Sequence, residues 1–184
     1  MTRRIFAEMI FTDTPHRFFM DIEQDKFEEG TDVNAKCEEM ENYLMEKFLP
    51  ILSNFFNDTF GTSTTEADFS VTLASDHTKF SAHVMLADGS YFATRVESWI
   101  AAGALAKHLD ELAKVDDELN RFYSVIESNP NGEKVVDYSV YGKGTRNMRM
   151  LGSVSYKGEV PLRTHWRRMR PLLSHKNCET QPWE

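Results

Sequence analysis

Apolar residues recur with two different periods along this chain, and the change between the two periods constrains its fold most strongly. Residues 33–56 carry apolar side chains at the three- and four-residue spacing of an amphipathic helix. Apolar and polar residues instead alternate, as they do in β-strands, at 4–10, 17–23, 68–74 and 79–87. A chain that mixes both periods in this order is expected to fold as an α+β protein, with helices packed on one face of an antiparallel sheet.

Local signals refine this order of elements. We expect 4–10 to pair with 17–23, and 68–74 to pair with 79–87, as two hairpins. Asp32 is predicted to cap the long helix, and Pro50 to kink or divide it. Further helices are predicted at 92–112 and 116–126, and further strands at 134–141 and 146–154.

Composition indicates a single soluble domain. The 184 residues are 41% hydrophobic and 12% aromatic, which is enough to build a packed core. Apolar stretches stay well short of a membrane-spanning length, and charges come too early at the N-terminus for a secretory signal, so we expect an intracellular protein without membrane contact. Cys37 and Cys178 form no C-x-x-C motif, so both are expected to be reduced thiols.

Charge is strongly polarised along the chain, although the net charge is −8. Residues 21–46 contain ten acidic side chains and two lysines, whereas residues 143–176 contain nine basic side chains and one acidic one. The basic run is either a soluble tail or a surface for a phosphate backbone. For the second case the expected nucleic-acid contacts are Arg163, Arg167, Arg168 and Arg170. We therefore divide the chain into a core at 1–160 and a basic, partly disordered C-terminal segment at 161–184.

Asp21-Ile22-Glu23 follows the apolar run Phe18-Phe19-Met20 and is the first chemical motif. Residues i and i+2 of a strand point to the same face, so the two carboxylates should stand side by side. Adjacent carboxylates repel unless a cation lies between them, and hard divalent ions take such oxygen ligands. The motif therefore indicates either a metal site or a solvated strand end.

A second motif, Lys79-Phe80-Ser81-Ala82-His83, places three polar side chains on one face of a strand. Lysine, serine and histidine all donate hydrogen bonds to phosphate oxygens. The alternative is a half-exposed strand whose polar residues face water. Nucleophilic catalysis by Ser81 and His83 is disfavoured, because the sequence has no G-x-S-x-G elbow and no identifiable orienting acid.

The third motif is Val135-Val136-Asp137, followed downstream by Arg146-Asn147-Met148-Arg149. Asp137 supplies a third carboxylate to the metal pair if its strand neighbours that of Asp21. The alternative for Asp137 is an ion pair with a nearby arginine. Arg146 and Arg149 share one face of a strand only if a bulge or turn lies near Asn147.

These three motifs, taken in this order, resemble the archaeo-eukaryotic primase superfamily, and most closely its primase-polymerase branch and related viral primases. The resemblance covers residues 4–155. It implies an RRM-like antiparallel sheet with packed helices and an additional α/β element. It also implies that Asp21, Glu23 and Asp137 are catalytic and bind Mg²⁺ or Mn²⁺. The residues that it places on the incoming nucleotide are Lys79, Ser81, His83 and Arg149, with Arg146 as a further candidate.

The activity implied by this resemblance is template-dependent nucleotidyl transfer, as a DNA primase, a DNA polymerase or both, on single-stranded DNA by two-metal catalysis. Expected partners are the template, deoxynucleoside or ribonucleoside triphosphates, and a helicase or other replication proteins. Relatives often have an N-terminal helical region and a C-terminal zinc module, so this sequence is expected to be either a catalytic core or a compact variant. A non-catalytic RRM-like nucleic-acid binding module and a metal-dependent nuclease remain as alternatives.

Overall fold

A computed structural model describes residues 14–125 and 133–141 in full, and the backbone alone of 7–10, 146–149, 154–156, 166–168 and 170–173. These residues form strands β1 (Ala7–Ile10), β2 (Phe19–Gln24), β3 (Phe69–Leu73), β4 (Phe80–Leu86), β5 (Arg146–Arg149), β6 (Val154–Tyr156), β7 (Trp166–Arg168) and β8 (Arg170–Leu173). Their α-helices are α1 (Val33–Tyr43), α2 (Leu49–Phe60), α3 (Arg95–Leu112) and α4 (Asp117–Tyr123). The coarse α+β class predicted from the sequence is therefore confirmed.

The main sheet is antiparallel and has the strand order β2-β4-β3-β8. On the outer side of β2, an antiparallel bridge joins Ile22 to Val136. The extended backbone around Val136 thus continues the sheet beyond β2. Two further antiparallel pairs, β1 with β5 and β6 with β7, form separate two-stranded sheets.

The predicted hairpin between the first two strands is wrong. β1 pairs with β5, with Ala7 opposite Arg149, whereas β2 pairs with β4. The residues before β2 also pair at long range, because the amide of His16 donates to the carbonyl of Phe92 at 3.0 Å and the amide of Phe92 donates back at 2.8 Å. Local alternation thus identified the strands but not their partners.

The second predicted hairpin is confirmed, because β3 and β4 are adjacent and antiparallel. Asp76 closes the turn between them. Its side chain accepts hydrogen bonds from the amides of Thr78, at 2.8 Å, and Lys79, at 3.2 Å. A short polar side chain that bonds backbone groups two and three residues ahead is a common way to fix such a turn.

The long helical stretch begins and divides close to where the sequence predicts. The Asp32 carboxylate accepts from the amides of Asn34 and Ala35, so its role as N-cap is confirmed. A π-helical segment at Leu44–Phe48 separates α1 from α2, and Pro50 lies in the first turn of α2. Proline has no amide hydrogen to donate to the preceding turn, and a π-helical segment next to it is one way in which a continuous helix accommodates the missing hydrogen bond.

One hydrophobic core joins the main sheet to the helices. Met20 and Ile22 of β2 are completely buried, as are Leu44 and Phe48 on the helical side. Met20 and Ile22 thus face the helices, which leaves Phe19, Asp21 and Glu23 on the other face of the sheet. This second face carries the residues of the first two sequence motifs.

The third motif departs from the predicted strand at 134–141. Its backbone is bridged as in a sheet only at Lys134 and Val136, and a 3₁₀-helix follows at Tyr138–Tyr141. Asp137 causes the change, because its carboxylate accepts from the amide of Ser139 at 2.8 Å and turns the chain.

The segment at 161–184 includes both β7 and β8, and β8 pairs with β3 in the main sheet. The domain boundary placed at residue 160 and the disorder expected after it stay predictions. Among the described residues, no helix combines the length and the apolar character needed to cross a membrane.

Candidate functional site

The polar face of the main sheet brings the first and second motifs together. In the register of β2 with β4, Asp21 lies opposite His83 and Glu23 lies opposite Ser81. Directly opposed residues of an antiparallel pair project to the same face with short Cβ distances. Four side chains from two motifs about 60 residues apart in the sequence therefore share one patch.

Asp137 joins this patch from the other side of β2. Its amide donates to the carbonyl of Asp21 at 2.9 Å, and the amide of Glu23 donates to the carbonyl of Val135 at 2.7 Å. This hydrogen-bond pattern sets Asp137 directly opposite Asp21. For Asp137 to supply a third carboxylate to the predicted metal site, its backbone has to lie beside that of Asp21, and the structure meets this condition.

Two residues that sequence reasoning missed hold the Asp137 segment in place. Arg95, in the first turn of α3, is buried and donates from Nη2 to the carbonyl of Val140 at 2.6 Å. The Tyr141 hydroxyl donates to the carbonyl of Phe19, and its ring stacks on the Phe19 ring with centroids 5.1 Å apart. Arg95 gives no sequence signal, since nothing local separates it from a surface arginine. Tyr141 ends the stretch at 134–141 that the sequence predicts as a strand, and a strand pattern gives no sign of this hydrogen bond.

Glu23 is engaged by a buried ammonium. Lys79 makes an ion pair with Oε1 of Glu23, and the Lys79 side chain is 5% exposed while that of Glu23 is 39% exposed. The Ser81 hydroxyl donates to the same oxygen at 3.4 Å. An ammonium that is nearly excluded from water is retained only when it is paired, so this contact stabilises Lys79 in its buried position.

Asp21 lies beside a second potential cation. Its Oδ1 is 3.5 Å from Nε2 of His83, and the two side chains are 19% and 11% exposed. Burial raises the pKa of Tyr141 far above its usual value, and the negative charge of Asp21 raises it further. Tyr141 therefore remains a neutral hydrogen-bond donor beside the Asp21 carboxylate.

The donor set of this patch fits a hard divalent cation in its chemistry. Asp21, Glu23 and Asp137 offer carboxylate oxygens from adjacent backbone segments, and Mg²⁺ and Mn²⁺ prefer such oxygens. As they are arranged, no three His, Cys, Asp or Glu side chains within 14–125 and 133–141 form a group that could hold a metal ion. Metal binding would therefore need new rotamers, above all for Glu23, whose Oε1 already holds Lys79.

The basic residues of the third motif and the C-terminal segment are described less fully. Arg146 and Arg149 lie in β5, whose register with β1 runs through all four pairs without a bulge. The conditional bulge near Asn147 is therefore not found, and the side chains of both arginines fall outside the described part of the chain. The same holds for the side chains of Arg167, Arg168 and Arg170 in β7 and β8, and for Arg163 as a whole. Their roles stay predictions.

A large apolar cavity lies apart from the polar patch. Its volume is about 670 Å³, and its lining includes Phe18, Phe56, Phe60, Tyr91 and Phe92. The lining contains none of the residues of the polar patch, which are Asp21, Glu23, Lys79, Ser81, His83 and Asp137. Apolar volume and convergent chemistry therefore fall at different places on this molecule. We place the candidate site on the polar face, because charge and hydrogen-bonding groups converge there.

Comparison with models of protein families and with curated proteins found no match to this chain.

Proposed function

We propose that this protein is a template-dependent nucleotidyltransferase that initiates or extends DNA strands on single-stranded DNA with Mg²⁺ or Mn²⁺. The observation that carries the proposal is the position of Asp137 directly opposite Asp21. Three carboxylates from two distant motifs thereby converge with Ser81 and His83 on one face of a sheet. Lys79 pairs with Glu23 and His83 lies beside Asp21, so the charge of Asp137, opposite Asp21, is the one that these two basic side chains do not balance.

The topology of the main sheet also supports the proposal. From β2 to the backbone around Val136, the order is strand, helices α1 and α2, strands β3 and β4, helices α3 and α4, and a bridged strand-like segment. The segment at Val136, β2, β4 and β3 lie side by side in that order. A β-α-β-β-α-β order with an antiparallel sheet is the arrangement of ferredoxin-like and RRM-like domains, whose sheets contact nucleic acid. In this protein the polar face is buried at Lys79, Ser81 and His83 and is open at Glu23.

In the proposed reaction the chain itself binds and orients the reactants. Lys79, Ser81 and His83 would donate to the oxygens of the triphosphate, since its charge is spread over several oxygens and is best held by several donors. Asp21, Glu23 and Asp137 would hold the divalent ions, which when bound lower the pKa of the 3′-hydroxyl and neutralise charge on the pyrophosphate leaving group. Tyr141 would keep Asp21 oriented through the backbone of β2.

Primer extension on a single-stranded template with Mn²⁺ tests the proposal. Asp21→Asn and Asp137→Asn should each lower incorporation at least about 100-fold, because each removes a ligand charge. Asp58→Asn, an exposed change on α2, is the matched control and should retain full activity. Incorporation that survives both site variants would contradict the metal assignment.

Two other results of the same assay would replace the proposal. Template degradation without incorporation would identify a metal-dependent nuclease. Binding of single-stranded DNA that is unaffected by Mn²⁺ and nucleotide, without any turnover, would identify a non-catalytic binding module.

A further inference from the structure

We propose that Lys79 is a built-in counter-cation of Glu23, which a metal–triphosphate complex displaces, so that the site loads metal and nucleotide together. This inference rests on the proposed function and concerns the order in which that site is filled. It follows from the ion pair between Lys79 and Glu23.

One oxygen of the Glu23 carboxylate is already occupied. Oε1 of Glu23 receives both the Lys79 ammonium and the Ser81 hydroxyl. A divalent ion bound at this oxygen must replace the ammonium, since two cations in contact with one carboxylate oxygen repel each other. Metal binding through Oε1, or through both carboxylate oxygens of Glu23 together, therefore begins with the loss of the ion pair.

The released Lys79 ammonium requires a new anion. The Lys79 side chain is 5% exposed, so water does not replace the lost carboxylate in full. Ser81 is completely buried, and Glu23 is the exposed side of this contact, so a triphosphate reaches Lys79 as Glu23 turns away. The triphosphate then supplies a new anion at the point where Lys79 loses its old one. Metal alone should therefore bind weakly, and the metal–triphosphate complex should bind tightly.

Exposed ion pairs in the same protein do not have this property. Lys114 and Glu111 make an ion pair at the end of α3 with side chains 63% and 71% exposed. Water solvates either partner when such a pair opens, so breaking it changes little. Lys114→Met is thus the matched control for Lys79→Met, with the same change of charge at an exposed pair.

Two binding measurements on the full chain test the inference. Electron paramagnetic resonance of free Mn²⁺ gives the affinity for the metal alone. Anisotropy of a fluorescent deoxynucleoside triphosphate at saturating Mn²⁺ gives the affinity for the complex. Lys79→Met should bind Mn²⁺ alone at least about 10-fold more tightly than the natural chain, and the Mn²⁺–nucleotide complex at least about 10-fold more weakly. Lys114→Met should leave both affinities unchanged.

The opposite signs separate this role from simpler ones. A lysine that only holds the triphosphate would weaken nucleotide binding and leave the affinity for Mn²⁺ unchanged, which would overturn the inference while the proposed function stands. If Lys79 were needed only for folding, Lys79→Met would weaken the binding of Mn²⁺ and of the Mn²⁺–nucleotide complex alike, which would also overturn the inference. Lys79→Gln, a neutral polar residue of similar length, should repeat the result if Lys79→Met folds poorly. The absence of Mn²⁺ binding in every variant would overturn the inference and the proposed function together.

Discussion

The buried ion pair between Lys79 and Glu23 predicts that the two partners respond unequally to neutralisation. Glu23→Gln leaves the Lys79 ammonium 5% exposed and without its carboxylate. Lys79→Met instead leaves a carboxylate that is 39% exposed and still reaches water. The free energy of unfolding should therefore fall mainly in the first variant, although both variants break the same contact.

The expected loss in the free energy of unfolding follows from how deeply each partner of the ion pair is buried. Removing one partner of a fully buried pair costs about 3–5 kcal/mol, and here the open side of Glu23 and the remaining glutamine carbonyl reduce this to about 2 kcal/mol. For a chain of this size the melting temperature should fall by about 4–8 °C. Lys79→Met should change the free energy of unfolding by less than about 1 kcal/mol, because it also removes the cost of burying a charge.

Urea unfolding followed by far-ultraviolet circular dichroism, without divalent ions, measures both values. The double variant Glu23→Gln/Lys79→Met should recover most of the stability lost in Glu23→Gln, since no charge is then left buried. Glu111→Gln and Lys114→Met, at the exposed pair, should each stay within about 0.5 kcal/mol of the natural chain. Equal losses in Glu23→Gln and Lys79→Met would refute the reasoning, because they would show that the contact itself, and not the buried charge, determines the energy.

Three further predictions concern buried groups and backbone geometry. Burial raises the pKa of Tyr123 to about 12, so the stability that the neutral phenol contributes is complete below pH 10, the ordinary pKa of tyrosine, and is lost as the pH rises from 10 to about 12. Over this pH range the urea midpoint of Tyr123→Phe should fall less steeply than that of the natural chain. Burial raises the pKa of Cys37 to about 11. In a Cys178→Ser background, iodoacetamide at pH 8 should therefore modify Cys37 about 100-fold more slowly in the folded protein than in urea, and equal rates would show an accessible thiol. Gly61→Ala should lower the free energy of unfolding by about 1 kcal/mol, because Gly61 ends α2 at φ +65°. Gly103→Ala, within α3, should raise the free energy of unfolding by a similar amount, because alanine favours a helix interior over glycine. Changes of the same sign in the two variants would contradict this account.

Elements of the fold that depend on local signals were predictable from the sequence. The turn at Asp76 and the cap at Asp32 involve hydrogen bonds within three residues, and both the β3–β4 hairpin and the start of α1 were predicted from such residues. The partner of β1 was not predictable, because β5 begins 136 positions after the end of β1, at Arg146 and Ile10 respectively. Alternation reports the face of each strand, and it carries no information about which strand lies beside it.

The candidate site shows the same division. Alternation correctly placed Asp21 and Glu23 on the face opposite Met20 and Ile22, which are completely buried. It did not reveal that Lys79 would be buried against Glu23, because the register that brings them together belongs to the β2–β4 pair. The roles of these residues in binding metal and nucleotide stay predictions.

Asp137 offers a final test. If its carboxylate serves to bind a metal, then in the metal-free protein its charge should lower the free energy of unfolding. Asp137 lies opposite Asp21, and like charges directly opposed in an antiparallel pair cost about 0.2–1 kcal/mol. Asparagine keeps an oxygen for the amide of Ser139, so Asp137→Asn removes the charge and preserves the turn. The urea midpoint of Asp137→Asn should therefore rise, by about 0.5 kcal/mol in free energy, while its affinity for Mn²⁺ falls. Asp58→Asn should change neither quantity. A loss of stability in Asp137→Asn would instead indicate that the carboxylate is held by an arginine, which is the structural alternative that the sequence left open.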